Sequence, residues 1–350
     1  MATTNLNLLS EFVHQMVSPL DARAPNLDSV LSAIGTCPYV FLGEASHGTH
    51  EFYRIRGEIT KRLIREKGFR TIAIEADWPD TARVNRYIQG TGDDEDAVEA
   101  LSGFQRFPSW MWRNADFLDF VGWLRHHNDS LPPGDKIEIF GLDLYSLHAS
   151  MAAVIDYLEK VDPGQAQRAR ARYACFDMFG GDSQAYGYAA GLGLSHTCEL
   201  EVVAQLVELR ERAARLSALG NLQDSKDLFS AEQNALVVKN AEEYYRTMFF
   251  GDVSSWNLRD SHMAETFERL LGHRQTTCSI PKVVVWAHNS HVGDARATQM
   301  GRQGEHNIGQ LLRTKHPGHC FHVGFTTYEG TVTAADAWDS APRSMKIRQA

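Results

Sequence analysis

No P-loop, GxGxxG or HExxH motif occurs in the 350 residues. That removes the usual sequence grounds for a nucleotide, a dinucleotide cofactor or a zincin centre. Cysteine is sparse and scattered, at Cys37, Cys175, Cys198, Cys278 and Cys320, with no CxxC. An odd count without close pairs predicts reduced thiols in a cytosolic protein rather than a disulfide frame. No apolar run approaches the ~20 residues that span a bilayer. The first residues, MATTNLNLLSEFVHQM, have no basic start followed by an apolar stretch, so no signal peptide is expected. Long runs of Lys or Arg are missing too. With Lys plus Arg at 35 and Asp plus Glu at 44, the net charge is −9. That balance argues against a nucleic-acid or anionic-membrane surface. There is no internal repeat and no low-complexity segment.

What is present is ordinary globular composition, 43% hydrophobic and 23% charged. A chain of this size buries roughly 75% of its unfolded surface, enough for one large domain or two smaller ones. Four apolar runs read as buried strands of a parallel sheet: YVFLG (Tyr39 to Gly43), TIAIE (Thr71 to Glu75), KIEIFGLD (Lys136 to Asp143) and KVVVWAH (Lys282 to His288). CFHVGF, from Cys320 to Phe325, makes a fifth. Helical patterns lie between them, over Glu51 to Lys67, Asp80 to Ile88, Ala115 to His127 and Ser146 to Glu159. Gly68 is placed to cap the first of these. Alternating strands and helices predict an α/β fold with a parallel β-sheet core flanked by helices.

From Asp162 to about Gly272 no strand pattern occurs. Leu200 to Leu219, Ala231 to Phe250 and Trp256 to Leu271 are helical, and a linker beginning GNLQDSKD parts the first two. The expected organisation is an α/β catalytic core of residues 1–161 and 273–350. Residues 162–272 form a helical insertion, a lid over the carboxyl edge of the sheet. Its aromatic residues (Tyr173, Phe176, Phe179, Tyr186, Tyr188) read more readily as core than as a cleft lining.

Open parallel sheets bind ligands beyond the carboxyl ends of their strands. Here those ends carry Glu44 with His47, then Glu75 with Asp77, then Asp143, then His288 with His291. One such residue would be a cap or a surface group. Together they predict a site, because buried carboxylates must be paired or hydrogen-bonded. Arg56, early in the first helix, and Arg259, in WNLRD, are the cations expected to serve it.

Three chemistries compete. Glu44-x-x-His47 and His288-x-x-His291 resemble metal-ligand spacing, but the first follows a strand rather than lying on a bundle helix. Ser46 sits where a nucleophile elbow would, yet Glu44 occupies the position of its first glycine. The third makes His47 a general base toward water, oriented by Glu44 or Glu75, with the remaining His and Arg residues steadying the oxyanion. It needs no cofactor.

The blocks GEASHGTHEF, TIAIEADWPD, FLDFVGWLRHHN, IFGLDLYS, NLRDSHMAE and KVVVWAHNSHVG resemble the erythromycin esterase family, in its order, over about residues 30 to 330. The resemblance implies ester hydrolysis, with macrolactone opening in the best-known members, by metal-independent attack of water. By motif, His47 matches the histidine base, and Glu44, Arg56, Glu75, His288 and His291 line the same site. The implied fold is an α/β core with a helical part over the cleft. Family members continue past the position matching Ala350, so the last part of their fold is expected to lie outside these residues.

The expectation is therefore a cytoplasmic, cofactor-free carboxylic-ester hydrolase without a metal site. Its catalytic residues are His47, Glu44, Glu75, His288, His291 and Arg56, and its substrate-binding residues Asp143, Arg259 and Asn289. Its partner is a small-molecule ester or lactone, not nucleic acid or membrane, and the oligomeric state stays open. The alternatives are a metal-dependent hydrolase using the Glu/His cluster and a non-catalytic binder of a small molecule such as haem.

Overall fold

Short runs rich in β-branched and aromatic residues become strands because their side chains pack well on a pleated surface. The structure, a computed structural model, describes residue 17 and residues 26–218, 225–275 and 280–347. The N-terminal stretch inspected for a leader, Cys278 and most of the GNLQDSKD linker lie outside the described residues. Strands β1 (Tyr39–Leu42), β2 (Thr71–Asp77), β3 (Glu138–Asp143), β4 (Val283–Trp286) and β5 (Cys320–Val323) form one parallel sheet. Its order is β3-β2-β4-β1-β5. Every residue of β1 to β4 is buried, as helices on both faces require.

Helices that pack on this sheet or on one another include α1 (His50–Lys67), α2 (Trp78–Gln89), α3 (Ala115–Asp129), α4 (Leu147–Val161), α5 (Glu199–Ala218), α6 (Ser225–Thr247), α7 (Asp252–Gln275) and α8 (Ile308–Lys315). Gly68 ends α1 in the left-handed conformation, at φ 71°. Strand alternation sends side chains to two cores. Val40, Leu42, Ile72, Ile74, Val284 and Trp286 meet Ile59 and Leu63 of α1 and Phe117 and Phe120 of α3. On the other face, Phe41, Ala73, Val283 and Val285 meet Met263 and Phe267 of α7 and Leu312 of α8. The helices between β3 and β4 also have a core of their own, including Val154 of α4, Leu209 of α5 and Leu236 of α6. Tyr173, Phe176 and Tyr186 are buried in it and Phe179 packs against it, while Tyr188 is exposed.

Two features depart from expectation. Cys175 and Cys198 are not reduced thiols but a disulfide, with their Cα atoms 6.0 Å apart. They lie 23 residues apart in sequence, and helix packing rather than local spacing brings them together. The chain also forms an unforeseen hairpin, β6 (Thr331–Ala334) with β7 (Arg343–Lys346). These strands are short and largely exposed, so they carry no long apolar run to announce them. Among the described residues no helix is long and apolar enough to cross a membrane.

The carboxyl end of β2 is irregular. Its register with β3 passes from Ile74 opposite Gly141 to Asp77 opposite Asp143, so β2 carries one extra residue there. Such a bulge re-aims side chains near a site. Glu75 lies inside it. Gly141 makes it possible, because a Cβ there would lie 2.5 Å from the Ala76 carbonyl oxygen and 2.6 Å from that of Asp77. Gly141→Ala is expected to destabilise the protein by about 1–3 kcal/mol, read from urea unfolding.

Candidate active site

The site begins where β1 ends. Glu44 is fully buried one residue past Gly43, at the start of the loop that leads into α1. Its Oε1 lies 3.0 Å from His47 Nδ1, and its Oε2 accepts a 2.8 Å hydrogen bond from Arg56. Arg56 is completely buried as well, its guanidinium stacked between the rings of Tyr53 (4.5 Å) and Trp286 (4.8 Å). Aromatic faces and one carboxylate thus replace the water a guanidinium would otherwise hold. With Nδ1 engaged by Glu44, His47 keeps Nε2 without a hydrogen-bond partner among the described residues, and its side chain is 31% exposed. Gly48 follows because a Cβ there would overlap the Thr333 carbonyl. The amide of Thr333 donates to the Gly48 carbonyl at 2.9 Å, so β6 braces the loop.

The bulge of β2 presents Glu75 to three groups. Its Oε1 accepts from Arg259 Nη2 at 2.8 Å and lies 3.3 Å from His291 Nε2. Its Oε2 accepts from the backbone amide of His288 at 2.8 Å. Burial pushes the Glu75 carboxyl up, but His291 and Arg259 outweigh it and hold it well below the usual carboxylate range. Arg259, from α7, also donates to both carboxylate oxygens of Asp143, at 2.9 and 2.6 Å. Asp143 is therefore an ion-pair partner, and it makes no cap for α4, whose N-terminus has no side-chain cap.

The three histidines have different surroundings. His291 is 2% exposed; its Nδ1 lies 2.8 and 3.0 Å from the two oxygens of Asp260, and its ring stacks on Trp256 at 4.5 Å. Its Nε2 lies 2.9 Å from Arg259 Nη1 as well as near Glu75, so a guanidinium and a carboxylate make opposite demands on it. Burial lowers its pKa, yet Glu75 and Asp260 prevail and push it up to about 9. For His47, burial again lowers the value, but Glu44 and Glu75 raise it above 6.5 on balance. His288 goes the other way, lowered by burial and by His47, whose ring centroid is 5.3 Å away. Its Nδ1 accepts from the Ser290 amide at 3.2 Å. The charges explain the pattern. Glu44, Glu75, Asp77, Asp143 and Asp260 are all buried, against the three guanidiniums of Arg56, Arg106 and Arg259. Two imidazolium charges would close that gap.

The expected residues therefore fall into two linked groups, Glu44–His47–Arg56 and Glu75–His291–Arg259–Asp143, with His288 between them. Asn289 stands apart. Its amide is spent on the Phe325 backbone, donating to the carbonyl at 2.5 Å and accepting from the amide at 3.3 Å. Ser46 pairs with Thr49, Oγ to Oγ1 at 2.5 Å. Among the described residues no three His, Cys, Asp or Glu side chains are grouped to hold a metal ion. Sequence reasoning missed Asp260 and Trp256. The available signal was Asp260 lying on one stripe of α7 with Trp256, Met263 and Phe267, an acid at a core position. A groove of about 740 Å³ lined by Trp78, Phe140 and Phe229 runs along the β3 edge of the sheet and contains none of these site residues.

The Erythromycin esterase family profile matches residues 64–350. The chain belongs to the erythromycin esterase family. It is 25% identical over 317 residues to erythromycin esterase type II of Escherichia coli, across 86% of this chain and 71% of that protein. A Bacillus cereus protein of known structure shares the fold at a TM-score of 0.70 and 20% identity, over 92% of this chain and 74% of its own. A histidine-to-asparagine variant of the erythromycin esterase EreC, in its open conformation, does so at 0.67 and 16%, over 94% and 81%. Family membership supports a hydrolase, an esterase by type.

Removing one partner of a buried ion pair strands the other charge. Arg56→Met is expected to cost about 3–5 kcal/mol, measured by denaturant unfolding.

Proposed function

We propose that the protein hydrolyses a carboxylic ester or macrolactone by His-activated water, without a cofactor. The observation that carries the reading is His47. Its Nδ1 is held by Glu44, its Nε2 is unengaged, and the ring is partly exposed. Neutral, with its proton on Nδ1, the ring offers the Nε2 lone pair to a water. Nε2 takes a proton from that water as its oxygen adds to the ester carbonyl. The tetrahedral oxyanion then collapses, the C–O bond to the alcohol breaks, and the His47 proton passes to the leaving oxygen. The products are a carboxylic acid and an alcohol, or one opened chain from a lactone. His291 and Arg259 supply positive charge and His288 a neutral ring for the oxyanion. Arg56 and Glu44 fix the base.

In this reading residues 162–272 act as a lid on a catalytic core of 1–161 and 273–350. The partner is a small ester or lactone. Incubation with macrolides and with aryl and alkyl esters, followed by mass spectrometry, tests the chemistry. A product that has gained one water supports it, and no product from any of them sinks it.

Two outcomes bear on roles. His47→Ala, folded by circular dichroism, is expected to lower turnover by about 10²–10⁴-fold. In the wild type, turnover should rise with pH through an ionisation above 6.5, because a raised His47 must lose its proton before it can act as base. An acid limb centred below 6.5 would contradict that assignment.

A further inference from the structure

We infer that Asp260 is a positioning residue of this site: it locks the His291 ring with Nδ1–H inward and, through it, the Glu75 carboxylate and Arg259 guanidinium beside His47. The inference deepens the hydrolase reading and rests on it only for its kinetic readout.

Asp260 is completely buried on α7. A carboxylate there is costly unless its oxygens are satisfied. Oδ2 lies 2.8 Å from His291 Nδ1, and Oδ1 lies 3.0 Å from the same nitrogen and accepts from the Ile308 amide at 2.8 Å. The amide is the N-terminal one of α8, so that helix orients the carboxylate. Trp256, one turn earlier, lies flat on the imidazole, its ring plane 6° from parallel. Edge and face of the ring are thus both fixed from α7. Nε2 can point only at Arg259 Nη1 and Glu75 Oε1.

The charged and titratable groups around the ring are Glu75 from β2, Arg259 and Asp260 from α7, Asp143 from β3 behind Arg259, and His288 on the same turn. Glu75 and Asp260 favour the second proton on the ring, so it serves as a fixed cation across the neutral range. It does not compete with His47 as base. The direction of the His291 pKa, up to about 9, agrees. Asp260 is completely buried, and the one side chain of the site that it touches is His291, so its effect on the site passes through that ring.

The test is histidine titration by NMR on labelled full-length protein, with His291 assigned by comparison with His291→Gln. In the wild type the His291 ring should remain protonated to about pH 9. D260N keeps the shape and removes the charge, so the ring should titrate about 1–3 units lower. The alkaline limb of the turnover profile should move down with it. kcat should fall at least about tenfold while KM changes little, as expected for an interaction strengthened in the transition state. A purely structural Asp260 would leave both pH readouts in place. A wild-type His291 that titrates near 6.5 overturns the inference even where D260N fails to fold. A folded D260N with an unchanged titration overturns it too. The titration needs no substrate, so it separates failure of this inference from failure of the hydrolase reading.

Discussion

Neutralisation of buried carboxylates is the constraint on which the rest of this structure depends. A parallel sheet delivers its strand ends to one edge, and here that edge holds Glu44, Glu75 and Asp143, each 2% exposed or less. Water is not available to any of them. Isolated charges in that position would be far too costly for a marginally stable fold. Each therefore has a cation within hydrogen-bonding distance, Arg56 for Glu44 and Arg259 for Glu75 and Asp143. The arginines in turn need desolvated faces to lie against. Tyr53 and Trp286 supply them for Arg56, and Tyr145, 4.9 Å away, supplies one for Arg259.

Three guanidiniums, Arg56, Arg106 and Arg259, do not balance five buried carboxylates, and that deficit distributes protons among the histidines. His291, against Glu75 and Asp260, is pulled toward the charged form most strongly. His47 is also pulled toward the charged form, by Glu44 and Glu75 against the opposing effect of burial. His288 is pushed toward neutrality by its neighbour His47. Three chemically identical side chains within one site thus acquire three different proton affinities. Pushing titratable groups apart in this way is how one site obtains both an acid and a base at neutral pH.

Much of this was legible in the sequence, for a physical reason. Residues at or just past the end of a strand are placed by the strand, so Glu44, Glu75, Asp143 and His288 could be assigned to one edge without knowing the fold in detail. His47 lies within a few residues of such an end, and Arg56 lies on the helix that follows it. The rest depends on tertiary packing. Asp260 lies on a helix far from any strand in sequence, and only the way α7 lies on the sheet brings it to His291. The same holds for the Cys175–Cys198 bond, which joins segments that helix packing brings side by side. The β6–β7 hairpin was invisible because its strands are too short and exposed to show an apolar pattern. Asn289 looked like a ligand group because of its neighbours His288 and His291, whereas its amide is consumed by the Phe325 backbone.

Helix α7 brings the helical stretch between β3 and β4 into contact with the strand-end residues. Its stripe of Trp256, Asp260, Met263 and Phe267 faces inward along successive turns. Met263 and Phe267 are fully buried against the sheet, and Phe267 meets the Tyr39 ring edge-on at 5.3 Å. That apolar seam sets the rotation and height of the helix. Asp260, one turn before Met263, then falls at His291, Trp256 lies over the ring, and Arg259 reaches Glu75 and Asp143. Hydrophobic packing of one half of a helix thereby fixes the electrostatic registry of the other. The acid in the stripe is tolerated because the imidazole and the Ile308 amide answer it, and the imidazole keeps its orientation because the acid is there.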